Sequence, residues 1–307
     1  MMSIPMETIT AAKIPDSKFQ IPDLTDETLA DSGFYWRERN RVKVLICRPL
    51  EEKGFVNGFS TRGGGVSDFP KDALNLSGLD IDSAANVAEN RRRLLDVLGD
   101  SKSDFRIATA WQTHGADVRV VENLEDANDG NGEFDALISN LEKILVGVKT
   151  ADCVPILIGN VKTKSFAAIH AGWRGTADSM VVKAIEKMRE FYGGDAKDLI
   201  CAVGAAATGK NYEVGQDVID AFAERFSTGG KLFTPTREGH ALVDLHRANK
   251  EQMESVGVKP ENIFTAPFCT MERTDLFFSY RVERKIYGKT GRLLSVIGLK
   301  NKNANST

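Results

Sequence analysis

The fold class this sequence predicts is a single α/β domain of mixed β-sheets flanked by helices, and three observations predict it. Short apolar runs of strand length alternate irregularly with amphipathic stretches of helical period. No internal repeat, low-complexity tract or interdomain linker divides the chain. At 307 residues, the chain is long enough to bury one large core. The composition, 42% hydrophobic and 27% charged, is that of an ordinary globular protein.

Residues 1–40 are mixed and polar, with prolines at Pro5, Pro15 and Pro22. They read as a loosely packed N-terminal extension, with a turn of helix at Asp26–Ala30 and Phe34, Tyr35 and Trp36 docking it on the body at 41–307. Val42–Cys47 alternates as a strand. Gly58–Ser67 reads as a strand breaking into a glycine-rich loop with Arg62 at its start. Alone, that loop suggests a flexible turn. The alternative is an anion nest, in which the N–H groups of Gly63 and Gly64 converge and Arg62 adds a full charge. No Gly-Lys-Ser/Thr follows, so it is not a Walker loop. Asn75 in ALNLS reads first as a turn residue, with a substrate contact as the alternative.

Asp82–Leu98 has the signature of a helix: Asp82 or Ser83 as cap, Val87, Leu94, Leu95 and Leu98 as a stripe, and Gly99 as stop. Arg91–Arg93 fits a solvated face. Strands are expected at Ile107–Trp111, Val118–Val121, Ala136–Ser139 and Ile144–Val148, and the acidic loop Glu125–Glu133 reads as a solvated turn. Two further apolar runs, Cys153–Ile158 and Phe166–Ile169, flank a polar turn and predict a hairpin. Helices follow at Thr176–Phe191, Gln216–Phe226 and Asp244–Val256, with strands at Leu199–Val203, Ile263–Ala266 and Leu294–Gly298.

That hairpin carries the chemistry. Cys153 opens its first run and His170 closes its second, so pairing brings both to one end of a sheet. His114, in WQTHGAD after another strand, is a third candidate. One thiolate and two imidazoles suit zinc or copper. A set of three leaves a coordination position open, as catalytic sites do. A thiol hydrolase using Cys153 with His170 or His114 is the metal-free alternative. Glu213 fits an acid–base group or a helix cap, His240 and His246 fit surface or helix-end roles, and Phe277–Arg281 fits either a base-binding pocket or core.

The bulk numbers exclude other classes. A net charge of −3 and a pI near 5.9 speak against a nucleic-acid or anionic-membrane partner. No apolar run reaches the ~20 residues of a membrane span, and no signal peptide is visible, which gives a cytoplasmic expectation. Four cysteines do not make a disulfide framework.

The segments FSTRGGGVS, ALNLS, VAENRRRL, QTHG, TADCVPIL, AAIHAGWRGTA, YEVG, CT and FFSYR occur in that order. Together they resemble the YfiH-like family, whose members are named both polyphenol oxidases (laccase-domain proteins) and purine nucleoside phosphorylases. The resemblance runs from about Gly54 to Leu299. It implies metal ligands at His114, Cys153 and His170, and a place for Arg62 at the active site, where it would cradle phosphate. It also implies a zinc enzyme performing phosphorolysis of adenosine, inosine and methylthioadenosine, and deamination of adenosine. Copper-dependent polyphenol oxidation is the runner-up. Four histidines are few for a multicopper centre, and the HxE…PCxxC pattern of zinc nucleobase deaminases is absent. Two departures stand out: Ala205–Ala207 where relatives carry a GPAIG-like loop, and Val282 in place of a second arginine after SYR.

Overall fold

The computed structural model describes residues 25–78, 81–99, 105–127, 132–226 and 229–300. Two six-stranded sheets lie face to face. The first runs in the order Phe34–Arg39, Val42–Cys47, Phe55–Ser60, Leu293–Leu299, Ile144–Thr150, Arg106–Ala108. The second runs Ile263–Thr265, Leu199–Val203, Val154–Asn160, Phe166–Ala171, Ala136–Ser139, Val118–Val120. Pairing is antiparallel except for one parallel pair at the end of the first sheet and one at each end of the second.

Alternation along the strands builds the layers. Leu157, Phe166 and Ala168 face the first sheet and join Phe55, Phe59, Val146 and Ile297 in a core between the sheets. Their neighbours Ile156, Ile158, Ala167 and Ile169 face outward onto the helices Met180–Tyr192 and Leu245–Ser255. Leu145, Leu294 and Val296 of the first sheet pack on the helix Ala84–Val97. Strands covered on both faces read as unbroken apolar runs, which is why the central ones are plain in the sequence. Among the described residues, no helix is long and apolar enough to cross a membrane.

The ordered body starts earlier than residue 41. Asp26–Asp31 is a helix capped by Thr25, and Phe34–Arg39 pairs in full register with Val42–Cys47. Phe34 is completely buried. The rest of the expected extension, 1–24, lies outside the described residues, as does part of the acidic loop 125–133. The helix expected at Thr176–Phe191 is two helices, Trp173–Ala177 and Met180–Tyr192, because Ser179 takes a left-handed φ of 59° between them. Gly63–Ser67 is a strand rather than a flexible loop. A Cβ at Gly65 would collide with the Ala73 carbonyl, and one at Gly64 with that of Arg41. These glycines permit close backbone packing. Arg93, expected in solvent, donates to the carbonyls of Gly64 and Gly65.

Candidate metal centre and cleft

In the hairpin of the second sheet, Ala171 pairs with Val154 and His170 with Pro155. Cys153, just ahead of Val154, therefore comes to the same sheet end as His170, as the sequence predicted. His114 joins them from the loop after Arg106–Ala108, with a left-handed φ of 63°. The ligand atoms of His114, Cys153 and His170 all lie within 4.8 Å of one another. The two imidazoles meet edge to face, 4.8 Å between centroids. Burial is graded across the set: His170 is buried, Cys153 intermediate and His114 exposed. Gly172 of the HAGWRG segment leaves the needed space, since a Cβ there would press on His114 at 3.0 Å and on Cys153 Sγ at 3.2 Å.

Asp135 organises this cluster, and the sequence reading missed it. It immediately precedes the strand Ala136–Ser139, beside the His170 strand. Its Oδ1 accepts from His170 Nδ1 at 2.6 Å and from His114 N–H at 3.1 Å. Its Oδ2 accepts from the N–H groups of Gly115 at 2.7 Å and Thr113 at 3.2 Å. One carboxylate thus fixes the ring of one ligand and the backbone of another. Its only mark in the sequence is an Asp just ahead of a buried strand, which reads as a turn.

Charge follows from this packing. Burial opposes ionisation of Cys153, but the adjacent His170 and His114 outweigh it and bring the thiol down to about 6. Burial also opposes a charge on His170, yet the Cys153 thiolate and Asp135 raise it to about 9. Burial would raise Asp135 as well, and the His170 hydrogen bond and charge hold it below the usual carboxylate range. Binding of a cation at this cluster would release the proton that the thiolate and Asp135 favour on His170. A thiolate, two imidazoles and a carboxylate orienting the buried histidine form a donor set that fits a zinc or copper ion.

The cluster opens into a cleft of about 530 Å³, within the size range of small-molecule sites. Trp111, Trp173, Tyr212 and Tyr280 supply aromatic walls, and Lys149, Arg174, Arg281, Arg284 and Arg292 supply positive charge. Trp111 is 52% exposed and Tyr280 39%, high values for large aromatics. Arg174 lies 4.2 Å above the Trp173 ring and Arg284 5.0 Å from that of Tyr280. Neither has a carboxylate partner among the described residues.

Arg62 is not among the residues that line this cleft. Its guanidinium pairs with buried Glu283 at 2.8 Å, donates to the carbonyls of Thr274 and Phe277, and lies over the Phe278 ring. The expected anion nest of Arg62 with Gly63 and Gly64 is replaced by this internal anchor. Asn75 is 1% exposed. It donates to the Ser77 carbonyl and Asp82 and accepts from the N–H groups of Ser77 and Arg292, which is the turn role. Glu213 is bound by Thr236 and Arg237. His240 contacts the Glu238 carbonyl and His246 that of Gly204.

The model of a family described as multi-copper polyphenol oxidoreductase laccase matches residues 56–300. The chain belongs to this YfiH-like, laccase-domain family. A protein of Staphylococcus aureus named purine nucleoside phosphorylase is 33% identical over 261 residues, 83% of this chain and 95% of the relative. YlmD from Geobacillus stearothermophilus superposes with a TM-score of 0.78 at 30% identity, covering 87% of this chain and 99% of that one. YfiH from Bacillus licheniformis gives 0.77 at 27% identity, covering 86% and 99%. The two departures of this YfiH-like chain do not line the cleft themselves. Ala205–Ala207 are buried, and the Ala207 N–H donates to the carbonyl of Asp152, which does line it.

Proposed function

We propose that this YfiH-like protein is a zinc-dependent purine nucleoside phosphorylase acting on adenosine, inosine and methylthioadenosine, with deamination of adenosine as a second activity. The observation that carries the reading is the cleft itself. It places a three-donor cluster, exposed aromatic faces and arginines without carboxylate partners around one substrate-sized space. The names of the staphylococcal relatives support it.

Phosphorolysis forms a bond from a phosphate oxygen to the anomeric carbon C1′ as the C1′–N9 bond breaks. The bonding pair leaves with the purine, which takes up a proton. The products are free base and ribose 1-phosphate, or 5-methylthioribose 1-phosphate from methylthioadenosine. Of the basic groups in this cleft, Arg174 and Arg284 are the ones proposed to hold the phosphate dianion, in place of Arg62. Trp111 and Tyr280 offer flat faces on which a purine can stack. His114, Cys153 and His170 would hold zinc, which supplies a Lewis-acid centre with an open position. Asp135 keeps the His170 ring in one tautomer, with Nε2 turned to the cluster. Deamination replaces the C6 amino group with oxygen from water and releases ammonia, without using phosphate.

A copper polyphenol oxidase remains the runner-up through the description of the family model. The donors disfavour it. His240 and His246 lie outside the cluster, and the described residues contain one three-donor group. That is fewer imidazoles than a multicopper centre takes, unless subunits share copper.

The test is incubation of pure, metal-quantified protein with adenosine and with inosine, with and without phosphate, and chromatography of the products. Base release that depends on phosphate, and inosine formed from adenosine without it, are expected. Absence of phosphate-dependent base release would refute the phosphorylase reading.

A further inference from the structure

Asp152, the residue next to the candidate ligand Cys153, joins three segments that the sequence scatters widely. Its Oδ1 accepts from Thr270 Oγ1 at 2.7 Å. Its Oδ2 accepts from Ser279 Oγ at 3.1 Å and from the Arg281 N–H at 2.7 Å. Its carbonyl accepts from the Ala207 N–H at 2.9 Å. It also lines the cleft, although only 9% of it is exposed. Its φ of 87° is a left-handed value rare for a residue with a side chain, and such conformations persist only where surrounding structure enforces them.

This geometry has a direction. The Cys153 side chain turns to the two histidines, and the Asp152 side chain turns to the first turn of the helix Tyr280–Tyr287. That helix brings Tyr280, Arg281 and Arg284 to the cleft wall. Ser279, which Asp152 holds, is its N-cap and accepts from the Val282 N–H. The Arg281 guanidinium reaches on to the Glu213 carbonyl and lies 4.9 Å from the Tyr212 ring. It also lines a second, adjoining cavity.

We propose that Asp152 is a positioning residue that fixes the arginine-bearing helix relative to the metal ligands, and so sets the distance between bound phosphate and the metal-side chemistry. The inference rests on the phosphorylase reading for its ligand. It adds an assignment of the spacing within the site to one carboxylate.

The hydrogen bonds dictate the test. The Oδ1 partner of Asp152 is a hydroxyl, which can reverse from donor to acceptor. An asparagine with its NH₂ toward Thr270 and its oxygen toward Ser279 and Arg281 therefore preserves the network, whereas alanine removes it. Full-length protein is loaded with zinc and titrated with inorganic phosphate by calorimetry, with zinc per chain measured in parallel. Asp152→Ala should bind phosphate about tenfold more weakly or worse, as for loss of hydrogen bonds to a charged group, with zinc per chain unchanged. Asp152→Asn should stay within about threefold of wild type. If Asp152→Ala does not fold, Thr270→Val carries the test, with about threefold weaker phosphate expected.

Unchanged phosphate affinity in the alanine variant, or in Thr270→Val where that carries the test, would overturn the inference. So would equal losses in the alanine and asparagine variants, or zinc lost in step with phosphate. Wild type that binds phosphate but does not cleave nucleosides would sink the phosphorylase reading and leave Asp152 testable by binding. Wild type that binds no phosphate would sink both.

Discussion

Replacing Asp135 with Asn tests the organisation of the candidate metal centre most directly. The change is nearly isosteric, yet the surroundings make it severe. Both carboxylate oxygens face N–H donors: His170 Nδ1 and the His114 amide on one side, the Gly115 and Thr113 amides on the other. An amide has one oxygen, so in either orientation its NH₂ points at two donors. If the oxygen stays with His170, the Gly115 and Thr113 amides lose their acceptor and the loop holding His114 loosens. If it turns away, the His170 ring loses its orienting partner. Loss of a metal ligand's outer partner typically costs about 10–100-fold in affinity, or about 1.4–2.7 kcal/mol. Two orphaned part-buried donors add a folding cost of about 2–4 kcal/mol. The assay is zinc affinity by competition with a chromophoric chelator at fixed pH, with urea unfolding of the metal-free protein alongside. Zinc affinity within about twofold of wild type would refute the argument, because it would mean that Asp135 does not orient the ligands.

Cys153→Ser should lose zinc and activity together, with part of the activity returning in excess zinc. An inactive Cys153→Ser protein with full zinc occupancy would instead revive a thiol nucleophile. Arg62→Ala strands Glu283, whose side chain is 3% exposed, and should cost about 3–5 kcal/mol of stability by urea unfolding. Phosphorolysis and deamination should then fall alike; a loss confined to phosphorolysis in a fully stable variant would restore Arg62 as a phosphate cradle. His246 turns its Nε2 inward to the Gly204 carbonyl, and burial lowers its pKa from 6.5 against the opposing pull of that bond and of Asp244. The unfolded chain then binds the extra proton first, so this contribution is complete above about 6.5 and declines as pH falls toward the lower folded value. Wild type should lose more stability than His246→Gln between about pH 7.5 and 5.5, and equal losses by urea unfolding would refute the assignment.

What the sequence made legible follows from burial. The hairpin of Cys153 and His170 is covered on both faces, so its apolar runs and its register could be read directly. The cap Ser83 accepts the backbone bond expected of it, and the helices expected from Asp82 and Asp244 begin within two residues of those positions. The helix Tyr280–Tyr287 escaped notice because its one buried side chain is Glu283, which leaves no apolar stripe. The Arg62 misreading has a related cause: Glu283, which neutralises it, lies near the other end of the chain. A glycine run beside an arginine looks the same whether it cradles an anion or packs against backbone. Asp135 and Asp152 act through hydrogen bonds to distant backbone, and no local pattern marks such a role.

The graded burial of the three candidate ligands would also bear on how an ion exchanges there. His170 is closed in by Asp135 and the sheet, Cys153 sits at an intermediate depth, and His114 faces the cleft. All three border the cleft, and His114 would be the donor most open to water and to competing chelators. On the phosphorylase reading, a nucleoside stacked on Trp111 or Tyr280 would cover this cleft, so a bound substrate would shield a bound ion from chelators.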